Sequence, residues 1–287
     1  MIEISTPDEF QRPDADAKLW RYMNFYRLKQ LVEGESIYLS RVDKFSDFVE
    51  SNMSERAAND SRDELARQGD DGRVADALQV MSRLISANMT YAMCWNTASR
   101  ESNLMWRAYG AAPDEATEDQ QFKIAISTTV ACFIESLNSF DGYKGDQHYI
   151  GMVKYIDYET DSTPGGIVDR TYVKRLEYQE EKECRFAIIR TSNMPGGLLS
   201  EIPEMDNGII VPVKLEHLIK HIAVELPSID DQVKLGISGT EGRDQASAEL
   251  LETEIQRRLN MVLDLVRSET SLSAISNSTG VSLSTVL

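Results

Sequence analysis

LWRYMNFYRLKQLVEGESIYLSRVDKFSDFVE, residues 19–50, packs a strand, a helix, a second strand and an acidic turn into one unit, and its reading decides the fold class. Leu19-Trp20-Arg21-Tyr22-Met23 is short and aromatic and reads as a strand, while Leu28, Leu31 and Val32 recur at helical spacing until Gly34 stops the helix. Ser36 to Val42 reads as the second strand. Because strand side chains alternate, Ile37, Leu39 and Arg41 share one face and Tyr38, Ser40 and Val42 the other. Two polar-aromatic faces lying close together make either the wall of a site or plain core.

The totals set the bounds around this unit. A chain of 287 residues can bury a sizeable core as one large domain or as a domain with an appended piece. No run reaches transmembrane length, and the opening MIEISTPDEF is acidic rather than basic and then apolar, so a cytoplasmic location is expected. Cys94, Cys132 and Cys184 stand singly in apolar stretches without CxxC spacing, which suits buried thiols better than disulfides or zinc. The net charge of −17 argues against a broad electrostatic grip on nucleic acid. Nucleic acid is thus expected only as a substrate, and the same charge suits a basic protein partner.

Along the chain, residues 54–88 read as a solvated helical insertion whose stripe Val74, Leu78, Met81 and Ile85 docks on the core. Strands are expected at Thr90–Trp95, Phe122–Ser127, Gly151–Tyr158, Glu183–Arg190, Gly208–Val213 and Ile222–Leu226, and helices at Leu104–Gly110, Thr129–Ser139 and Leu215–His221. Pro113–Gln121 reads as an acidic loop. Pro195-Gly196-Gly197 and the Gly- and Asp-rich run after Ser139 read as loops. Without a βαβ rhythm or a GxGxxG loop, the pattern favours a mixed α+β core over residues 1–237. Residues 238–242 read as a linker to a C-terminal appendage, 238–287. Its long helix, 245–267, carries Leu251, Ile255, Leu259, Val262 and Val266 on one stripe, for packing on its own domain or for a protein partner or homo-oligomer. The tail SLSAISNSTGVSLSTVL has the outline of a helix-turn-helix start, but no Lys or Arg follows Arg267 to contact phosphates, so a small structural strand or a partner-binding tail is expected instead.

Chemistry points to the carboxylates. No metal site is expected from His148, His217 and His221, since Leu218 stands where a zinc-protease helix needs glutamate. Asp47 and Glu50 lie one turn apart after the second strand, and Glu181 and Glu183 share a face with Arg185 at the entrance to a late strand. A glutamate beside an arginine on a strand edge is most often a structural ion pair. The catalytic alternative is a carboxylate held beside a ribose, stabilising the positive charge that develops as a glycosidic bond breaks. A third alternative, a metal-dependent nuclease using Asp47, Glu50 and Glu183, fits the carboxylates but not the charge.

The ordered set Leu19-Trp20-Arg21-Tyr22, Ile37-Tyr38-Leu39-Ser40, Phe45-Ser46-Asp47 with Glu50, Cys94-Trp95, Leu104-Met105-Trp106 with Tyr109, and Glu181-Lys182-Glu183-Cys184-Arg185-Phe186 resembles the bacterial family called domain of unknown function 2971. Val211-Pro212-Val213 and Leu226-Pro227 extend the likeness, which covers roughly residues 19–236. Phe48 stands where that family usually carries proline, and the acidic 113–121 loop replaces its glycine passage into the next strand. Members often look like accessory parts of bacterial conflict and phage-defence loci. The order strand, helix ending in glycine, strand, and late glutamate strand also resembles ADP-ribosyltransferases, including the toxin branch. That likeness implies a mainly antiparallel split sheet with helical insertions and an NAD site. It places Arg21 or Tyr22 and Tyr38 or Ser40 against NAD, with Trp106 and Tyr109 nearby and Glu183 as the catalytic residue, Glu181 beside it. The expectation is a defence or toxin-like transferase modifying a macromolecule, with a non-enzymatic binding or oligomerising module of a phage-defence system as its alternative.

Overall fold

The computed structural model describes residues 3–47, 50, 52–69, 72–111, 113–137, 146–190, 206–227, 245–268 and 282–286. In chain order the elements are β1 (Ile4–Ser5), β2 (Lys18–Asn24), α1 (Phe25–Glu33), β3 (Ser36–Arg41), α2 (Glu55–Arg67), α3 (Arg73–Met89), β4 (Thr90–Asn96), α4 (Asn103–Ala108), β5 (Lys123–Thr129) and α5 (Val130–Ser136). They continue with β6 (Gln147–Met152), β7 (Lys154–Ile156), α6 (Ile167–Arg170), β8 (Val173–Arg175), β9 (Glu183–Ile189), β10 (Gly208–Pro212), α7 (Leu215–Leu218), β11 (His221–Glu225), α8 (Gln245–Ser268) and β12 (Ser282–Val286). The fold is mixed α+β with mainly antiparallel strand pairing. The chain divides into two compact units, residues 1–17, 37–97 and 137–211 in the first and residues 18–36, 98–136 and 212–287 in the second.

In the first unit β9 lies between β4 and β6, antiparallel to both; β1 adds in parallel to β6, while β3 pairs with β4 and with β10. Register fixes the faces. Trp95 pairs with Cys184 and Met93 with Phe186, which in turn pairs with Ile150, and these buried side chains form one apolar face. The other face starts apolar, with Val42, Ala92, Ala187 and Tyr172 packed together, and ends charged at Arg185 and Glu183. Gly151 stands opposite Arg185, and its missing side chain leaves room for the Tyr172 ring, which a Cβ there would meet at 3.3 Å.

In the second unit β5 lies between β2 and β11, again antiparallel, and β12 adds in parallel to β11. The decisive strand-helix-strand stretch folds as read. The Asn24 side chain at the end of β2 accepts from the Arg27 N–H and so caps α1, and Gly34 closes the helix by donating to the Gln30 carbonyl. The buried end of α8, with Arg258, Val262, Leu265 and Val266, packs within this unit. Arg258 donates to the Glu225 carbonyl and lies over the Phe122 ring at 5.3 Å.

Gly110 takes a φ of +89° where the chain leaves α4, and a Cβ there would stand 3.1 Å from the Met23 carbonyl oxygen. The helix itself ends two residues earlier than the sequence suggests, at Ala108. Gly110→Ala is expected to cost about 1–2 kcal/mol, because a side chain is disfavoured in left-handed backbone and its neighbour is backbone that cannot yield. An unchanged urea midpoint would contradict that.

Three expectations need correcting. The Gly151–Tyr158 strand is two strands, β6 and β7, broken at Val153, and β7 pairs in parallel with β8 in a separate small sheet. The face α3 buries is not Val74, Leu78, Met81 and Ile85 but the side with Ala75, Ser86 and Met89; Leu78, Val80 and Leu84 stay exposed. His217 and His221 do not share a helix: the first lies in α7, the second opens β11. In the tail, Ser282 to Val286 forms the expected small strand. The Pro195-Gly196-Gly197 stop, the loop after Ser139, the 238–242 linker and residues 271–281 lie outside the described residues. Among the described residues, no helix is long and apolar enough to cross a membrane.

Candidate functional site: a buried ion cluster

Two stretches far apart in the chain, the acidic turn and the late glutamate strand, meet at the charged end of the first unit's sheet. A backbone bond from the Glu50 N–H to the Asp47 carbonyl, 3.1 Å, shapes the turn. Both carboxylates are buried, so each requires a cation. Arg185 on β9 provides one: Nη2 donates to Glu50 at 2.9 Å and to Glu183 at 3.1 Å, and Nε donates to the other Glu183 oxygen at 2.7 Å. Its Nη1 donates to the Thr171 carbonyl, and its plane lies 5.2 Å from the Phe45 ring. Lys174 on β8 provides the second, reaching Glu181 at 2.7 Å and Glu50 and Glu183 at 3.2 Å each. Arg175, next along, turns outward to Asp47 at 2.8 Å and Glu177 at 2.9 Å.

The network sets the protonation states. Burial pushes the Glu183 carboxyl up, but the Arg185 charge, its hydrogen bonds and Lys174 outweigh this and hold it down at about 2. Burial pulls Lys174 and Arg185 down, and the surrounding glutamates outweigh it and raise both. The thiol of Cys94, opposite Arg185 on β4, is pushed well up by burial and then by Glu183.

Glu181 and Glu183 reach this cluster by different routes. Lys182 adopts a φ of +44°, which takes Glu181 off the strand and leaves it ending the 3-10 turn Leu176–Glu181, so the expected shared strand face holds for Glu183 and Arg185 only. The Asn96 amide on β4 pins that turn by donating to the Glu181 carbonyl at 2.6 Å. Glu183 is 3% exposed and has both oxygens engaged, whereas Glu181 is 8% exposed and is held through Oε2 by Lys174.

The other candidates divide between the units. Ser40 pairs with Ala92, which pairs with Ala187, so Tyr38 and Ser40 belong to the same sheet face as Arg185 and Glu183. The exposed Tyr38 ring lies over Gly208 on β10, where any Cβ would collide with it. In the second unit Tyr22 and Trp106 do come together, edge to face with ring centres 5.1 Å apart. The Tyr22 hydroxyl accepts from the Ser102 N–H at 2.8 Å, and burial pushes its pKa up to about 12. Arg21 points to the opposite side of β2 from Tyr22, and Tyr109, just past α4, is partly exposed.

Sequence reasoning missed Lys174 and Arg175, which sit in a stretch read only as polar. The signal was available: three glutamates bound for a strand entrance need more cation than Arg185 supplies, and Val173-Lys174-Arg175 is the nearby strand-like basic pair. Lys174 and Arg185 bridge Glu50 and Glu183 where a divalent ion would have to sit, so the arrangement does not favour metal-assisted hydrolysis. No family model, curated protein or solved structure matches the chain, so the family likeness rests on the residues quoted above.

Proposed function

We propose that the chain is an ADP-ribosyltransferase-like protein that uses NAD to modify a macromolecule, with Glu181 as the carboxylate that meets the nicotinamide ribose and Glu183 as its positioning residue. The observation that carries this reading is the contrast between the two glutamates, one locked by two cations and the other tied through a single oxygen to the same lysine. As the glycosidic bond of NAD lengthens, positive charge grows on the ribose, and a carboxylate oriented by Lys174 opposes it. The exposed Tyr38 ring and the Ser40 hydroxyl, on the Glu183 face, suit the ribose end of such a ligand by stacking and hydrogen bonding. The defence or toxin-like setting and the split-sheet assignment follow from the resemblances.

The test is nicotinamide release and label transfer from NAD in cell extract. Wild type is expected to turn over, Glu181→Gln to lose about a hundredfold or more with folding intact, and Glu183→Gln to lose stability together with turnover. No release by the wild-type chain with any extract fraction would overturn the transferase reading.

The second reading is a non-enzymatic, oligomerising module, and one observation favours it: α3 exposes Val80 and Leu84, one turn apart on the same side. The α8 stripe is a weaker candidate, because its buried end is occupied within its own unit. Val80→Glu with Leu84→Glu should then lower the mass measured by light scattering; a wild-type chain that is already monomeric would remove this reading.

A further inference from the structure

A single residue, Lys182, separates Glu181 from Glu183 and decides which way each carboxylate goes. Extended backbone at Lys182 would put Glu181 on the same strand face as Glu183, with both aimed at Arg185. At a φ of +44° the chain turns a corner instead, and Glu181 ends the 3-10 turn with its carboxylate on Lys174. A side chain is disfavoured in left-handed backbone, so a lysine there has to be held by its surroundings.

The end of β4 holds it. Asn96, opposite Glu183 in the register and 1% exposed, donates from its side-chain amide to the Glu181 carbonyl at 2.6 Å. Thr97, the next residue, donates twice to the Lys182 carbonyl, from its N–H at 2.9 Å and from its hydroxyl at 2.7 Å. Those two carbonyls belong to the peptide planes on either side of the Lys182 Cα, and holding both planes sets the two dihedrals between them. The other end of the turn is tied separately. Tyr178 stands one 3-10 turn before Glu181, so both side chains reach Lys174: the ring lies 4.7 Å from the ammonium, and its hydroxyl accepts from Arg175 Nη2 at 3.1 Å.

We propose that Asn96 is a positioning residue for Glu181, acting through the Lys182 corner, with Thr97 sharing the task. The inference rests on the transferase reading, in which Glu181 meets the nicotinamide ribose. Asn96 holds the backbone of Glu181 rather than its carboxylate, so losing it keeps the reacting group and misplaces it. A displacement of about 1 Å costs a reacting group up to about a hundredfold in rate. Binding of NAD by the rest of the site is untouched, so the loss falls on kcat and spares KM.

The experiment is nicotinamide release from NAD by the full chain in cell extract, with rates expressed per folded molecule from circular dichroism. Asn96→Ala is expected to lower kcat by about tenfold or more and to leave KM for NAD within about twofold. Adding Lys182→Gly to Asn96→Ala is expected to recover most of the loss, because glycine takes the corner conformation without strain and no longer needs the clamp. Thr97→Val removes one of the three donors and keeps the shape; it is expected to give a smaller loss of the same kind, and it carries the test should Asn96→Ala fail to fold. Equal kcat in wild type and variant, a rise in KM in place of the fall in kcat, or a loss that Lys182→Gly leaves unrecovered would overturn the positioning role and leave the transferase reading standing. A wild-type chain that releases no nicotinamide would overturn both.

Discussion

Arg185→Met is expected to lower the free energy of unfolding by about 3–5 kcal/mol, the cost of leaving buried carboxylates without their cation. Arg185 is fully buried and binds both Glu50 and Glu183, so removing it strands two negative charges with Lys174 alone between them and Glu181. Methionine replaces the aliphatic stem of the side chain but gives those oxygens nothing. Arg185→Lys is expected to recover part of the loss, since a point charge cannot span Glu50, both Glu183 oxygens and the Thr171 carbonyl as the guanidinium fork does. Urea unfolding followed by circular dichroism measures both. A loss under about 1 kcal/mol for Arg185→Met would place the cluster among solvent-screened surface pairs and refute its role as the buried support of the site.

Acid is expected to take away a comparable amount. The Glu183 carboxyl is held at about 2 against an ordinary 4.5, so as pH falls the unfolded chain takes up this proton before the folded one does. The stability Glu183 contributes is therefore complete above the ordinary carboxylate range and is lost as pH drops from about 4.5 toward 2, some ~3 kcal/mol in all. Lys174 and Arg185 are shifted the other way, upward, so their contributions are complete below their ordinary values and fade only in strong alkali. Unfolding free energy measured across the acid range should fall less steeply in Glu183→Gln than in wild type. Parallel curves would mean that Glu183 is not the group being titrated.

Much of this architecture can be read from local pattern. The 19–42 stretch declares itself because a glycine stop, a capping asparagine and two alternating strands all agree, and the 245–268 helix because its stripe runs unbroken for several turns. The α3 face could not be read this way. Its apolar periodicity is real, but the helix turns another side inward to accommodate Arg170, and a demand made by a distant buried cation leaves no local trace. The break at Val153 was hidden for a similar reason: β6 and β7 read as one apolar run until β8 is known to need a partner. The tail carries turn-like serines and a glycine, yet Ser282 to Val286 becomes a strand because β11 offers it an edge. For the site, the carboxylates were visible as motifs and the pairing of Glu183 with Arg185 followed from alternation. The part played by Lys174 was not visible, because it depends on β8 folding beside β7 rather than on spacing.

Each compact unit is assembled from three separated chain segments, interleaved with those of the other. The chain consequently alternates between them five times, and no single cut releases either one whole. On a ribosome, β4 must wait for residues some ninety positions downstream before β9 can pair with it, and the same delay separates β2 from β11 twice over. The first unit cannot be finished before residue 211 is made, nor the second before the segment that follows it, so maturation is expected to be slow and late, governed by long-range closure rather than by successive domain folding.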